Sequence, residues 1–216
     1  MSELFDRFIP SLYTIAAYLS CFIAIQSFRI VHIFGGGRFT AAAIPVAIMA
    51  FYPIHQTYGQ LSSSVFYATG ATKAYRNIGI AFMLLGLPVT YFLIAPNNMA
   101  GMNSGAVGLA IKMVLINIIG VNAQIYFNTR QLKLNFMKYL KQQARVFISF
   151  LMLSFVSSWI IDNSLKLRTT IMPGFIASGI LYSIMAFSII YFFPETFGFR
   201  KHDILAVRRY LQKKMF

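Results

Sequence analysis

The chain has 216 residues, of which 58% are hydrophobic and only 11% are charged. A soluble domain carries about 25% charged residues, so this composition excludes a water-soluble protein and predicts an integral membrane protein. A formal charge of +14 in a soluble protein would indicate nucleic-acid binding. Here the basic residues lie between apolar stretches, where the positive-inside rule accounts for them. We therefore expect the lipid bilayer as a partner and no nucleic acid.

The residues that usually carry catalysis or metal binding are few and dispersed. One cysteine, Cys21, excludes a disulfide or a cysteine-based metal site within the chain. The three histidines show no ligand spacing, and the five acidic residues fall at the ends of apolar stretches or in the tails. No pair of acids is placed for acid–base chemistry. The sequence therefore predicts no enzyme activity, no metal and no cofactor.

Six apolar stretches predict an all-α membrane domain, because each is as long as the roughly 17–25 residues that a spanning helix needs. The fifth reaches that length only when its polar flanks are included, and it is the weakest of the six. The predicted spans are 12–34, 41–69, 78–95, 104–128, 144–163 and 171–193. Together they form a predicted transmembrane domain over residues 1–201.

Basic residues between the spans predict the orientation of the chain. Fourteen of them lie at the N-terminus, in the connections 70–77 and 129–145, and after residue 199, whereas Arg38, Lys166 and Arg168 lie on the opposite side. Cytoplasmic loops carry the excess of lysine and arginine. We therefore expect both termini, and the largest loop at 130–145, in the cytoplasm, with the protein in a bacterial inner membrane.

The tail at 202–216 is basic and has helical periodicity. Ile204, Val207 and Leu211 share one face, while Arg208 and Lys213 lie on the other. This pattern fits an amphipathic helix on an anionic leaflet. It equally fits a solvated basic tail that acts only as a topology signal.

The second span, 41–69, differs from the others because its centre is polar. Pro45, Pro53 and Gly59 interrupt it. As one helix from Ala41 to Thr69 it would rise roughly 43 Å, more than a hydrocarbon core of about 30 Å requires. Transporters build their paths from over-long, interrupted and polar membrane helices of this kind.

A set of loose motifs follows the first span. A loop containing Arg38-Phe39 leads into Ala42-Ala43-Ile44-Pro45, and the polar span ends in Ala68-Thr69-Gly70-Ala71-Thr72-Lys73. A later connector ends in Ser104-Gly105-Ala106-Val107-Gly108, and Leu4-Phe5-Asp6-Arg7-Phe8-Ile9 precedes the first span. With this pattern the chain resembles the last six helices of a bacterial polysaccharide (O-antigen-type) flippase. These flippases belong to the multidrug/oligosaccharidyl-lipid/polysaccharide exporter superfamily.

The resemblance implies a function and a partner. Such flippases have two lobes around a central cavity and move undecaprenyl-diphosphate-linked oligosaccharide to the periplasmic leaflet by alternating access. This chain corresponds to one lobe and the terminal helices. We therefore expect it to need an N-terminal lobe, or to form a homo-oligomer, before it transports a lipid-linked oligosaccharide.

Polar residues within the spans are the candidates for a substrate cavity. Lys112 and Arg29 could offset the charge of a diphosphate, although both lie near enough to an interface to snorkel. His55 lies mid-span, where it would bind substrate, carry protons or donate a hydrogen bond to a neighbouring helix. The remaining candidates are amides that bind sugar hydroxyls or join helices: Gln56, Gln60, Asn117, Gln124 and Asn128.

Two other functions remain open at the level of sequence. One is a membrane enzyme of glycan assembly, such as a polymerase or a lipid-linked sugar transferase. The other is a scaffold subunit that does not transport. Short loops without acidic clusters favour a transporter over the enzyme.

Overall fold

The computed structural model describes residues 2–164, with Ser164 as backbone only, and residues 170–199. Within this part of the chain every regular element is helical. The α-helices are α1 (Ser2–Ile25), α2 (Ser27–Gly35), α3 (Ala43–Met49), α4 (Tyr52–Ala68), α5 (Thr72–Ile94), α6 (Gly105–Gln131), α7 (Phe136–Ser164) and α8 (Ile171–Phe192). The predicted tail helix at 202–216 lies outside the described residues.

Six segments are long and apolar enough to cross a membrane, which confirms the predicted number of spans. They are Ser2–Ile25, Gly37–Ala68, Thr72–Ile94, Gly105–Gln131, Phe136–Asn163 and Ile171–Phe192. The chain is a multi-pass membrane protein.

The first predicted span, 12–34, starts too late and misses a break. α1 begins at Ser2, because Phe5 and Ile9 on its first turns are already buried in the bundle. The ring of Phe5 packs edge-on against Tyr139 of α7, with centroids 5.6 Å apart. α1 then ends at Ile25, and α2 begins at Ser27 after the junction residue Gln26.

Of the three interruptions predicted for the span 41–69, the structure shows a break beside Pro53. A 3₁₀ turn, Gly37–Ala42, leads into α3, and α4 starts afresh at Tyr52. Pro53 in the first turn of α4 has no backbone N–H to donate to the preceding turn, so it fits a helix start but not a helix interior. Gly59, in contrast, lies within an unbroken α4.

The fifth span is the one most altered from its prediction of 144–163. α7 has 29 residues and begins at Phe136, so only residues 132–135 connect it to α6. The predicted loop at 130–145 is therefore mostly helix. Buried Tyr139, Gln142 and Gln143 explain the extension, because they place the first turns of α7 against the rest of the bundle.

Helices adjacent in space follow the order α8, α7, α1, α4, α6 and α5. α1 and α4 hold the centre, where the rings of Tyr13 and Tyr58 meet with centroids 5.4 Å apart. α5 is the outermost helix of this series, and most of its residues are exposed.

One end of the bundle gathers the segments predicted to be cytoplasmic, and we call it the basic end. Lys138 on α7 forms an ion pair of 2.7 Å with Asp6 on α1. Thr69, after α4, donates to the side chain of Gln131 at 3.2 Å. A 3₁₀ turn after α8, Pro194–Phe197, also returns to α1, where the Ser11 hydroxyl donates to the carbonyl of Gly198 at 2.7 Å. These segments therefore share one side of the protein, whichever leaflet faces it.

Candidate functional site

Three of the predicted cavity residues lie together in one groove between α4, α5 and α6. Lys112, Asn117 and Gln124 line it from α6. The groove has a volume of about 220 Å³ and opens to the surface of the bundle. Its other walls are Tyr52 from α4 and Ile78, Gly79 and Phe82 from α5.

Glycines lie where α5 and α6 meet beside this groove. A Cβ atom built on Gly86 of α5 would lie 3.5 Å from Cε and 3.7 Å from Nζ of Lys112. A Cβ atom on Gly120 of α6 would lie 3.4 Å from the ring of Phe82. These distances are ordinary van der Waals contacts, so an alanine would fit at either position. The sequence did not single out Gly79 and Gly86 as a pair, although they are seven residues apart and therefore share one face of α5.

Lys112 is the cation of the groove. Its side chain is half-buried, and the ion pairs of the described residues, Arg29–Asp162 and Lys138–Asp6, do not include it. An ammonium group within a membrane span is costly unless it meets water or an anion. The groove therefore holds a positive charge that an anionic ligand could neutralise.

The two amides of the groove differ in how they are used. Asn117 donates its side-chain N–H to the backbone carbonyl of Tyr52 at 3.0 Å, so it ties α6 to the start of α4. The side-chain oxygen of Gln124 is buried and has no hydrogen-bond partner among the described residues. Among the described residues, Gln124 thus contributes a buried acceptor without a partner, and Lys112 a half-buried donor without a partner, to one groove.

Gln56 and Gln60 lie on the outer surface of α4. Both are exposed, and with Tyr52, Ser63 and Tyr67 they form one stripe that we call the polar face of α4. The polar face continues into the groove, because Tyr52 belongs to both. An amide that faces hydrocarbon loses its hydrogen bonds with water. We therefore expect the polar face of α4 to contact water or a polar partner rather than lipid.

His55 lies apart from both the groove and the polar face. It is buried, and its ring packs edge-on against Tyr13 of α1 with centroids 5.8 Å apart. Gln143 of α7 is its polar neighbour, while its Nδ1 has no hydrogen-bond partner in the described structure. The structure places this histidine in the interior of the bundle, where α1, α4 and α7 meet.

Asn128 joins two helices. It is fully buried, and its side-chain N–H group donates to the carbonyl oxygen of Ser62 at 2.8 Å and to the Ser62 hydroxyl at 2.7 Å. The face of α4 that carries His55, Gly59 and Ser62 is consequently a packing face toward the bundle.

Arg29 lies outside the groove, and its guanidinium already has polar partners within the bundle. The guanidinium donates to the side-chain oxygen of Gln26 at 2.9 Å and forms an ion pair with Asp162 of α7. Asp162 was noted in the sequence only as an acid at the end of a span. The two residues are 133 positions apart in the sequence, and no local pattern links them.

Comparison with protein-family models, with curated proteins and with solved structures finds no match. The site is accordingly defined by geometry. It consists of the groove with Lys112 and Gln124, continued by the polar face with Gln56 and Gln60.

Proposed function

We propose that this chain is one lobe of a bacterial inner-membrane transporter that moves undecaprenyl-diphosphate-linked oligosaccharide from the cytoplasmic to the periplasmic leaflet. The observation that carries the proposal is Lys112, a cation without an anionic partner among the described residues, in a groove that opens between membrane helices. A diphosphate crossing the membrane needs such a donor to offset its lost hydration.

The polar face of α4 supports transport along this surface. Exposed Gln56 and Gln60 follow the groove along the helix, so a sugar headgroup would find amide donors and acceptors beside the cation. The face needs an opposite wall to exclude lipid. That wall is the expected N-terminal lobe, or a second copy of the chain, and alternating access would open the enclosed space to each leaflet in turn.

The test measures glycan export in a bacterial strain that lacks its flippase, normalised to the amount of the chain in the membrane. Co-expression with a separate eight-helix flippase lobe should restore export, whereas the chain alone should not unless it forms homodimers, which cross-linking would reveal. Lys112→Gln should then lower export about tenfold or more, because a hydrogen bond to a charged group contributes about 1.5–3 kcal/mol. Lys112→Arg should retain most of it.

Lys73→Gln is the matched control, since Lys73 is exposed at the start of α5 and lies outside the groove. It should export normally. Normal export per molecule by Lys112→Gln would remove the groove from the transport path, and failure of every lobe combination would argue against the transporter itself.

A further inference from the structure

A second and larger cleft lies at the end of the bundle opposite the basic end. It has a volume of about 580 Å³, within the range of about 300–1,000 Å³ of small-molecule sites. The junction of α1 and α2 forms one wall, with Gln26 and Arg29, and the last turns of α7 form the other. None of these residues belongs to the groove of Lys112.

The floor of this cleft is a set of connected polar side chains. Gln26, Arg29 and Ser158 are at least nine-tenths buried. Gln26 donates its side-chain N–H to the Ser158 hydroxyl at 2.8 Å and accepts from Arg29 at 2.9 Å. The positive charge of Arg29 is balanced by Asp162. Among the described residues that line the cleft, this floor has no surplus charge for a phosphate or a free cation.

Aromatic and polar side chains alternate along the rim. Phe155, Trp159 and Asn163 are spaced by four residues, so they share the face of α7 that lines the cleft. Trp159 is the one tryptophan of the chain, and 57% of it is exposed. The carboxylate of Asp162 engages Arg29 through one oxygen, and its second oxygen has no hydrogen-bond partner in the described structure.

We propose that this cleft binds a monosaccharide unit. A sugar ring has an apolar C–H face, which would lie flat on Trp159, and hydroxyl groups that both donate and accept. Asp162 would accept from these hydroxyls, and the Asn163 amide would both donate and accept. A neutral polyhydroxylated ring fits a neutral polar floor beside an aromatic plane better than an ion or an aliphatic chain does. This binding goes beyond the proposed function, because it needs neither transport nor the groove of Lys112.

The test uses the full chain in lipid nanodiscs, where both membrane surfaces are accessible. Glucose, galactose and N-acetylglucosamine are titrated while the fluorescence of Trp159 is recorded; mannitol, an open-chain polyol without a ring face, is the control solute. At least one of the sugars should shift the emission with a saturable dependence in the millimolar range, and mannitol should not. Asn163→Ala should weaken the affinity about threefold or more, as expected for one lost hydrogen bond.

Asp162→Asn should weaken binding similarly, but it also removes the ion pair of a buried arginine. If Asp162→Asn does not fold, Asn163→Ala alone tests sugar binding. Asn163 is exposed, and its side chain donates a hydrogen bond to the carbonyl of Trp159 at 3.0 Å within the same helix, so its loss should not unfold the bundle. The proposal is overturned if no sugar gives a saturable shift, if mannitol gives the same one, or if Asn163→Ala binds with unchanged affinity. The two proposals can fail separately. If the unmodified chain binds sugar and Lys112→Gln exports normally, the cleft is a sugar site and the groove of Lys112 is not part of the transport path.

Discussion

The buried side-chain amide of Asn128 on α6 donates to both the carbonyl and the hydroxyl of Ser62 on α4. Within a membrane such bonds between helices contribute about 0.6 kcal/mol on average and up to about 1.7 kcal/mol. Asn128→Leu, which keeps the volume and removes both bonds, should therefore destabilise the folded bundle by about 1 kcal/mol. Denaturation in mixed detergent micelles measures the change.

Asn163→Ala is the matched control for that substitution, because Asn163 is exposed and its side chain bonds only within α7 among the described residues. It should unfold at the same denaturant concentration as the unmodified chain. Equal stability of Asn128→Leu would show that the pair of bonds contributes nothing net.

Close packing of α4 on α6 depends on Gly59. A Cβ atom built there would lie 2.9 Å from Cγ2 of Val121, and a β-branched side chain has little freedom to move away. Gly59→Ala should cost about 1–2 kcal/mol of stability through overpacking. Adding Val121→Ala should return part of that loss, so the two substitutions should be non-additive in a double-mutant cycle.

Gly79 is the matched control for the stability measurement on Gly59→Ala. It also lies within a helix, but a Cβ atom there would meet nothing within 4 Å. Gly79→Ala should be neutral or stabilising by up to about 1 kcal/mol, since alanine loses less conformational entropy than glycine on forming a helix. Equal losses for Gly59→Ala and Gly79→Ala would contradict the contact with Val121.

Water access to the polar face can be read from cysteine reactivity. With Cys21 replaced by alanine, Gln56→Cys and Gln60→Cys should react with a charged, membrane-impermeant maleimide, because thiolates form in water and not in hydrocarbon. Leu84→Cys and Ile80→Cys on the exposed surface of α5 are their controls and should react far less.

These two pairs are matched in depth. Gln60 and Ile80 each lie eight residues, or about 12 Å, from the end of their helix at the α4–α5 connection, and Gln56 and Leu84 lie about 18 Å from it. Equal protection at all four positions would place the polar face against lipid or within a closed interface, without water.

Orientation in the membrane remains a prediction from the basic residues. Reporter fusions after Phe39 and Asn98 should report the periplasm, and fusions after Phe216 the cytoplasm. The connection 132–135 between α6 and α7 is the informative internal position, because α7 already begins at Phe136. A fusion after Lys133 should report the cytoplasm, and a periplasmic signal there would contradict the predicted orientation.

The sequence alone determined the number of spans and the break near Pro53. Both are local properties, since span length follows from the thickness of the bilayer and the missing proline N–H acts within one helical turn. The same reasoning underestimated α7, because Tyr139, Gln142 and Gln143 read as a polar loop until the bundle that buries them is known.

Tertiary structure decided which polar residues face outward. Helical periodicity separates the stripe of His55 and Ser62 from that of Gln56 and Gln60, but it does not say which stripe meets a neighbouring helix. Packing of α4 on α1 and α6 buries the first stripe and leaves the second exposed. In the same way, Arg29 found its partner Asp162 only through the packing of the bundle, because an ion pair between distant positions depends on the path of the whole chain and not on local spacing.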